Sequence, residues 1–172
     1  SESNLDEGTY TITITATNAD ASTSSTSFTV DVSDVPPVVS ADSGTVNSAE
    51  NAAATSSGTF SDYDDVVTIT ASAGTIEQTG TQSGTWTWSE SGLDEGTYTI
   101  TITATNADAS TSTTSFTVHV SDVPPVVLAD SPSVAAAENA TASNSGTFSD
   151  YDDTVTLTAS AGTIEQSGTQ SG

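Results

Sequence analysis

One stretch of this chain is written almost twice. Leu5-Asp-Glu-Gly-Thr-Tyr-Thr-Ile-Thr-Ile-Thr-Ala-Thr-Asn18 returns as Leu93 to Asn106, and the same offset of 88 carries Asp34-Val-Pro-Pro-Val-Val39 onto Asp122 to Val127. Residues 1–84 and 89–172 differ at 14 of 84 positions. Whatever one copy folds into, the other must be able to form as well, so the chain reads as a tandem array of one module.

The pattern inside the repeat has a period of two. In Thr97-Tyr-Thr-Ile-Thr-Ile-Thr-Ala104, hydroxyl and apolar side chains alternate, as on a strand with one wet and one dry face. The Pro-Pro pairs at 36–37 and 124–125 punctuate the chain, and proline resists central strand positions. Between them seven strands are expected: Thr45–Ser48, Gly58–Ser61, Val66–Ser72, Thr75–Gln78, Thr85–Ser89, Thr97–Asn106 and Thr114–Ser121. Seven short strands separated by Gly, Asn, Asp and Ser turns predict an all-β sandwich over residues 38–123.

The flanks are then partial modules. Residues 1–35 hold the last two strands of a preceding module, and residues 126–172 hold the first four of a following one. Together they lack only the Thr85-Trp-Thr-Trp88 strand. Half-sandwiches expose apolar faces and unpaired edges. The expectation is a segment of a longer array, or one completed head to tail by neighbouring copies. The chain begins without Met and shows no signal peptide, so it reads as an excerpt or a processed product.

Charge narrows the function. The chain has 23 acids, no Lys or Arg, and a formal charge of −23. Nucleic acid and anionic membranes need basic residues, so both are excluded as partners. No apolar run reaches the ~20 residues of a membrane helix. Without lysine there is no Lys–Asn isopeptide bond, and without cysteine no disulfide or thiolate metal site. Ser and Thr make up 63 residues, which suits strands with a wet face in an extracellular or cell-surface setting.

The acids cluster. Asp62, Asp64 and Asp65 fill three of four positions, and Asp150, Asp152 and Asp153 repeat them. In an extended segment, residues i and i+2 point the same way, so Asp62 and Asp64 would share a face. Such a cluster is either a solvated loop or a seat for a hard cation. An EF-hand is ruled out: counting from Asp62, the sixth position is Val67 rather than Gly and the twelfth is Ala73 rather than Glu.

These residues resemble known families. Leu93 to Asp108, with Ser115-Phe-Thr-Val and Ser121-Asp-Val-Pro-Pro-Val-Val127, resembles the second half of cadherin-like and PKD-like repeats. Gly58-Thr-Phe-Ser-Asp-Tyr-Asp-Asp65 resembles their acidic strand-loop-strand. The resemblance covers essentially the whole chain. It implies seven-stranded Ig-like sandwiches in tandem, as in bacterial surface adhesins and extracellular fibres, with calcium between modules. Carried over, the ligands at the first linker are Asp6, Glu7 and Asp34, with Asp62, Asp64 and Asp108. At the second they are Glu50, Asp94, Glu95 and Asp122, with Asp150 and Asp152. Asp65 and Asp153 complete the two clusters. Leu-Asp-Glu-Gly in place of Leu-Asp-Arg-Glu, and the short Asp-Val-Pro-Pro linker, argue against a full three-ion junction.

Trp86 and Trp88 alternate onto one face. Large aromatics usually fill a core, which is the expectation here; exposed, they would form a sugar-stacking platform. His119, the single histidine, is expected exposed on its strand; its counterpart is Asp31, and no nucleophile-elbow sequence accompanies it. The single sequon, Asn139-Ala-Thr141, has no counterpart in the other copy. No enzymatic role is expected. The leading reading is a structural repeat of a fibre or stalk, with copies of itself as partners; the alternative is a carbohydrate-binding module.

Overall fold

The computed structural model describes residues 5–172, and every regular element among them is a strand. A hairpin comes first. Its strands β1 (Gly8–Thr17) and β2 (Thr23–Val32) pair antiparallel over their full length, from Gly8↔Val32 to Thr17↔Thr23. Next come β3 (Val38–Ala41), β4 (Thr45–Ala49), β5 (Ala54–Ser61), β6 (Thr68–Ala71), β7 (Thr75–Thr79), β8 (Ser83–Glu90), β9 (Gly96–Thr105) and β10 (Thr111–Ser121). These eight form two four-stranded sheets, β3-β5-β8-β7 and β4-β10-β9-β6. Last, β11 (Val126–Ala129) and β12 (Gly146–Ser149) pair antiparallel.

The described chain falls into two compact units. One comprises the residues up to Gly44 with Thr55–Ser89 and Thr99–Thr117; the other comprises Thr45–Ala54, Glu90–Tyr98 and Val118–Gly172. In the first unit, period-two alternation turns Phe60, Ile69, Trp86, Trp88, Ile100, Ile102 and Phe116 inward, all buried. The two sheets meet there as a sandwich. Phe116 of β10 stacks on Trp86 of β8 at 6.3 Å and takes Trp88 edge-on at 5.1 Å. The Trp88 indole N–H donates to the Ala73 carbonyl at 2.6 Å. Gly58 is required by this packing: a Cβ there would run into the Ser40 carbonyl oxygen and come within 2.5 Å of the Trp86 ring.

In the second unit Val118, Val120 and Phe148 are buried, together with Glu50. Two backbone bonds, one within each unit, fix the direction of β4 against β10: Thr117 N–H to Gly44 O at 3.0 Å in the first and Glu50 N–H to Ser121 O at 3.1 Å in the second. Both partners ascend together, so these two strands run parallel.

The sandwich therefore matches the expected fold class, with one strand more than expected. Val38–Ala41 forms β3, paired to β5 from Val38↔Ser61 to Ala41↔Gly58. The adjacent Pro-Pro pair had marked a boundary, yet proline before the first residue of an edge strand removes no ladder bond. Pro37 itself is buried. The segment 126–172 departs further. Of the four strands expected there, Gly146–Ser149 forms, beside the unexpected Val126–Ala129. The counterparts of β4, β6 and β7 carry no ladder. In the central copy β4 pairs with β10 and β6 with β9, and the counterparts of β9 and β10 would fall after residue 172.

Local geometry is copied even where ladders are not. Gln78 accepts from Ile69 N–H at 2.8 Å and donates to Val67 O at 2.7 Å. Gln166 does the same with Leu157 at 2.9 Å and Val155 at 2.7 Å.

Candidate metal centres

The acidic loop after β5 is a bend, not the extended segment expected. Asp62 Oδ1 accepts the backbone N–H groups of Asp64 at 3.2 Å and Asp65 at 2.9 Å, an Asx turn. Gln82 pins the loop from the side. Its carbonyl accepts Asp62 N–H at 2.9 Å, and its amide donates to Tyr63 O at 2.9 Å. Asp62, Asp64 and Asp65 thus converge because the backbone folds around the Asp62 carboxylate, which alternation could not reveal. The second copy builds the same loop, with Asp150 Oδ1 accepting from Asp152 at 3.3 Å and Asp153 at 2.9 Å.

In the first unit these loop acids meet others distant in sequence. Glu7 before β1, Asp34 after β2, Asp65 in the β5–β6 loop and Asp108 in the β9–β10 turn each place a carboxylate oxygen within 4.8 Å of the other three. Asp6, Glu7 and Asp64 form an overlapping group. All seven acids assigned to the first linker are therefore drawn into one neighbourhood.

Their protonation records the crowding. Glu7 is pushed up to about 7, first by a hydrogen bond shared with the Asp108 carboxyl, against a backbone bond that pulls it down, with Asp6 and burial adding to the rise. Asp65 rises to about 6, first through desolvation and then through Asp108. Asp64 is raised by desolvation and by Asp6.

The second unit gathers its acids as two groups: Glu50 with Asp94 and Glu95, and Asp150 with Asp152 and Asp153. Asp122 belongs to neither, though its charge acts on Glu50. Glu50 is 1% exposed. Its Oε1 accepts Val123 N–H at 2.7 Å, and its Oε2 has no hydrogen-bond partner. The Val123 bond favours the charged form, but burial and the charges of Asp152, Asp122 and Asp150 outweigh it and raise the carboxyl. Glu95 rises to about 6, first through its bond with Asp94. Asp152 is raised by desolvation and then by Asp94.

A buried carboxylate oxygen without a donor is an open acceptor, and leaving it so is unfavourable. Asp65 Oδ2 and Glu50 Oε2 are both of this kind. The donor sets are entirely carboxylate, with no thiol or imidazole, which fits a hard divalent cation.

Other residues singled out from sequence lie elsewhere. His119 is exposed on β10 with Nδ1 3.2 Å from Thr97 Oγ1, as expected. Trp86 and Trp88 are core residues, so the sugar-stacking platform does not exist. Asn139 is exposed with φ at 63°, in a turn closed by Ala140 N–H to Ala137 O at 3.1 Å.

Two neutral residues were missed. Asn106, 5% exposed, donates through Nδ2 to Asp34 Oδ1 at 3.0 Å and, at 3.5 Å, to Asp62 Oδ2. Ser110 Oγ donates to the other Asp34 oxygen. Their signal was present in the repeated Ala-Thr-Asn-Ala-Asp turn, but a search for ligands by charge passes over an amide.

No family model matches the chain, and no curated protein matches it. Among solved structures it is similar to fibronectin(III)-like modules of Clostridium thermocellum CbhA, at 20% identity and a TM-score of 0.39, covering 67% of this chain and 64% of that one. It is similar to extracellular cadherin domains 1–5 of protocadherin gamma B2, at 21% identity and a TM-score of 0.41, covering 81% and 31%. Domains 4 and 5 of the S-layer protein SbsC are similar at 21% identity and a TM-score of 0.34, covering 56% and 58%. The chain thus spans less than two thirds of each of these structures. Among the described residues no helix is long and apolar enough to cross a membrane.

Proposed function

We propose that this chain is a structural repeat of a secreted or cell-surface fibre or adhesin stalk, stiffened by calcium at the junctions between modules. One observation carries the reading. Acids from both sides of a junction, Glu7 and Asp34 with Asp65 and Asp108, meet in a chain that has no lysine or arginine to balance them. The modules are those of the repeat, 38–123 whole, with 1–35 and 126–172 as parts of its neighbours. Bound calcium would supply positive charge and a demand for six to eight oxygens. Glu7, Asp34, Asp65 and Asp108 would hold it at the first junction, with Asp6, Asp62 and Asp64 beside them. Glu50, Asp94 and Glu95 would do so at the second, with Asp122, Asp150, Asp152 and Asp153 adding charge.

Copies of the module are its partners. Ile14 and Phe28 on the hairpin, and Val127 and Leu128 on β11, are exposed. They fit strands of the same sequence, supplied by a following repeat or by a neighbouring chain. Acids held at junctions rather than in a cleft give no catalytic role. Carbohydrate recognition loses its main support with both tryptophans buried.

The test is thermal unfolding of the full chain in calcium, in EGTA, and in NaCl of matched ionic strength. At a hundredfold excess over its Kd a specific ion stabilises by about 2.7 kcal/mol, which raises Tm by roughly 5–10 °C in a chain of this size. The combined substitution of Glu7→Gln with Asp65→Asn should abolish most of the rise. A rise that NaCl reproduces would leave the clusters as solvated loops and overturn the proposal.

A further inference from the structure

The charges at the first junction have a second solution that needs no ion. Asp34 sits between β2 and the Pro36–Pro37 pair, where the hairpin hands over to the central strands. Both of its oxygens are taken from the far side of that hand-over, Oδ1 by the Asn106 amide at 3.0 Å and Oδ2 by the Ser110 hydroxyl. Asn106 also reaches Asp62 at 3.5 Å. In a chain without a basic side chain other than His119, its NH2 group supplies the partial positive charge that arginine would supply elsewhere.

The amide is held in this orientation by its own turn. Asn106 Oδ1 accepts Ser110 N–H at 2.8 Å, Asn106 N–H donates to Ser110 O at 3.0 Å, and Ala109 adopts φ of 67° to close the loop. With Oδ1 so occupied, Nδ2 must face the carboxylates. The first copy is an internal control. Asn18 makes the same bonds to Ser22, 3.0 Å from each backbone group, and Ala21 has φ of 64°. Asn18 is exposed, whereas Asn106 is buried against Asp34. The turn therefore has the same geometry where its asparagine is exposed, so the donor's orientation does not depend on burial against Asp34.

We propose that Asn106, braced by Ser110, is an ion-independent clasp that fixes the β1–β2 hairpin to the central strands through Asp34. Calcium would then act on a joint already closed, with Asp34 oriented by Asn106 and Ser110 beside the other ligands and Asp65 Oδ2 left as the open acceptor. The clasp does not depend on the calcium reading and is tested without the ion.

The chain contains no cysteine. Ser25→Cys on β2 and Thr87→Cys on β8, both exposed, therefore allow two spin labels and a distance distribution in EGTA. A narrow distribution is expected in the otherwise native chain, broadened by Asn106→Ala, with a Tm loss of a few degrees. Ser110→Ala, milder, should broaden it less and covers the case in which Asn106→Ala does not fold. The double substitution Asp34→Asn with Asn106→Asp exchanges donor and acceptor across the same pair. Recovery of the narrow distribution in that double variant identifies the bond itself, which a generic packing role would not. A native chain that is broad in EGTA and sharpens only with calcium would overturn the clasp and leave the calcium reading standing. A distribution indifferent to calcium but broadened by Asn106→Ala would support the clasp and count against the calcium reading. No response to Asn106→Ala or Ser110→Ala in EGTA would overturn the clasp.

Discussion

The hairpin β1–β2 and the strands β9 and β10 are nearly the same sequence in two circumstances. Ile14 is 55% exposed and its counterpart Ile102 is 0% exposed; Phe28 is 53% exposed and Phe116 is 2%. The hairpin keeps its full ladder, from Gly8↔Val32 to Thr17↔Thr23, although its apolar face is only half-buried at Tyr10, Ile12, Val30 and Val32 and exposed at Ile14 and Phe28. Alternation therefore specifies the strand and its dry side, while burial depends on which strands lie opposite. In the central copy that partner is β8 with its two tryptophans. The dry face is a capacity of the sequence, and its use is a property of the neighbours.

The largest effect should come from cutting the same residue in both places. Phe116→Ala is expected to destabilise by about 3–5 kcal/mol and Phe28→Ala by less than about 0.5 kcal/mol, measured by denaturant unfolding. Equal losses would mean that the hairpin face is covered in solution, which light scattering would trace to self-association.

A smaller effect probes the glycine beneath Trp86. Gly58→Ala drives a methyl group against the Ser40 carbonyl and the Trp86 ring, and is expected to cost about 1–3 kcal/mol. Its counterpart Gly146 also faces a carbonyl, that of Leu128, but has no tryptophan above it. Gly146→Ala should therefore be milder, and a reversed order would show that backbone approach outweighs the indole.

The smallest effect separates the two acidic neighbourhoods by pH in EGTA. Glu7 at about 7 and Glu95 at about 6 both lie above the usual 4.5 of a glutamate. The folded state then holds protons that the unfolded chain has released. The stability these groups contribute is present in acid and is lost as pH rises through their folded values. Tm should fall from about pH 5 to about pH 8. Glu7→Gln should flatten the upper part of that fall and Glu95→Gln the lower part. A Tm that rose with pH in EGTA would contradict the sign for both.

Much of this was legible in the residues. The repeat, the strands of the central module and the buried tryptophans follow from alternation and turn residues, which are local. The seven acids that meet in the first unit were reached through the resemblance to cadherin-like and PKD-like repeats, carried onto these positions. What escaped depends on contacts. Strand β3 exists because β5 lies beside it, and four residues after a proline pair carry no signal of that. The Asx turn at Asp62 forms from a side chain returning to its own backbone, so the carboxylates converge for a reason opposite to extension. Asn106 became visible only once Asp34, 72 residues away, was seen against it.

The parallel pairing of β4 with β10 bears on how such a module would carry tension. A pull transmitted along the chain reaches β4 from its amino-terminal side and leaves β10 at its carboxy-terminal end. Two parallel strands drawn from opposite ends must slide past each other. Their bonds, among them Thr117 to Gly44 and Glu50 to Ser121, are then strained together rather than peeled one at a time. A stalk assembled from such units would yield in discrete steps, one module at a time, instead of unravelling from its tip.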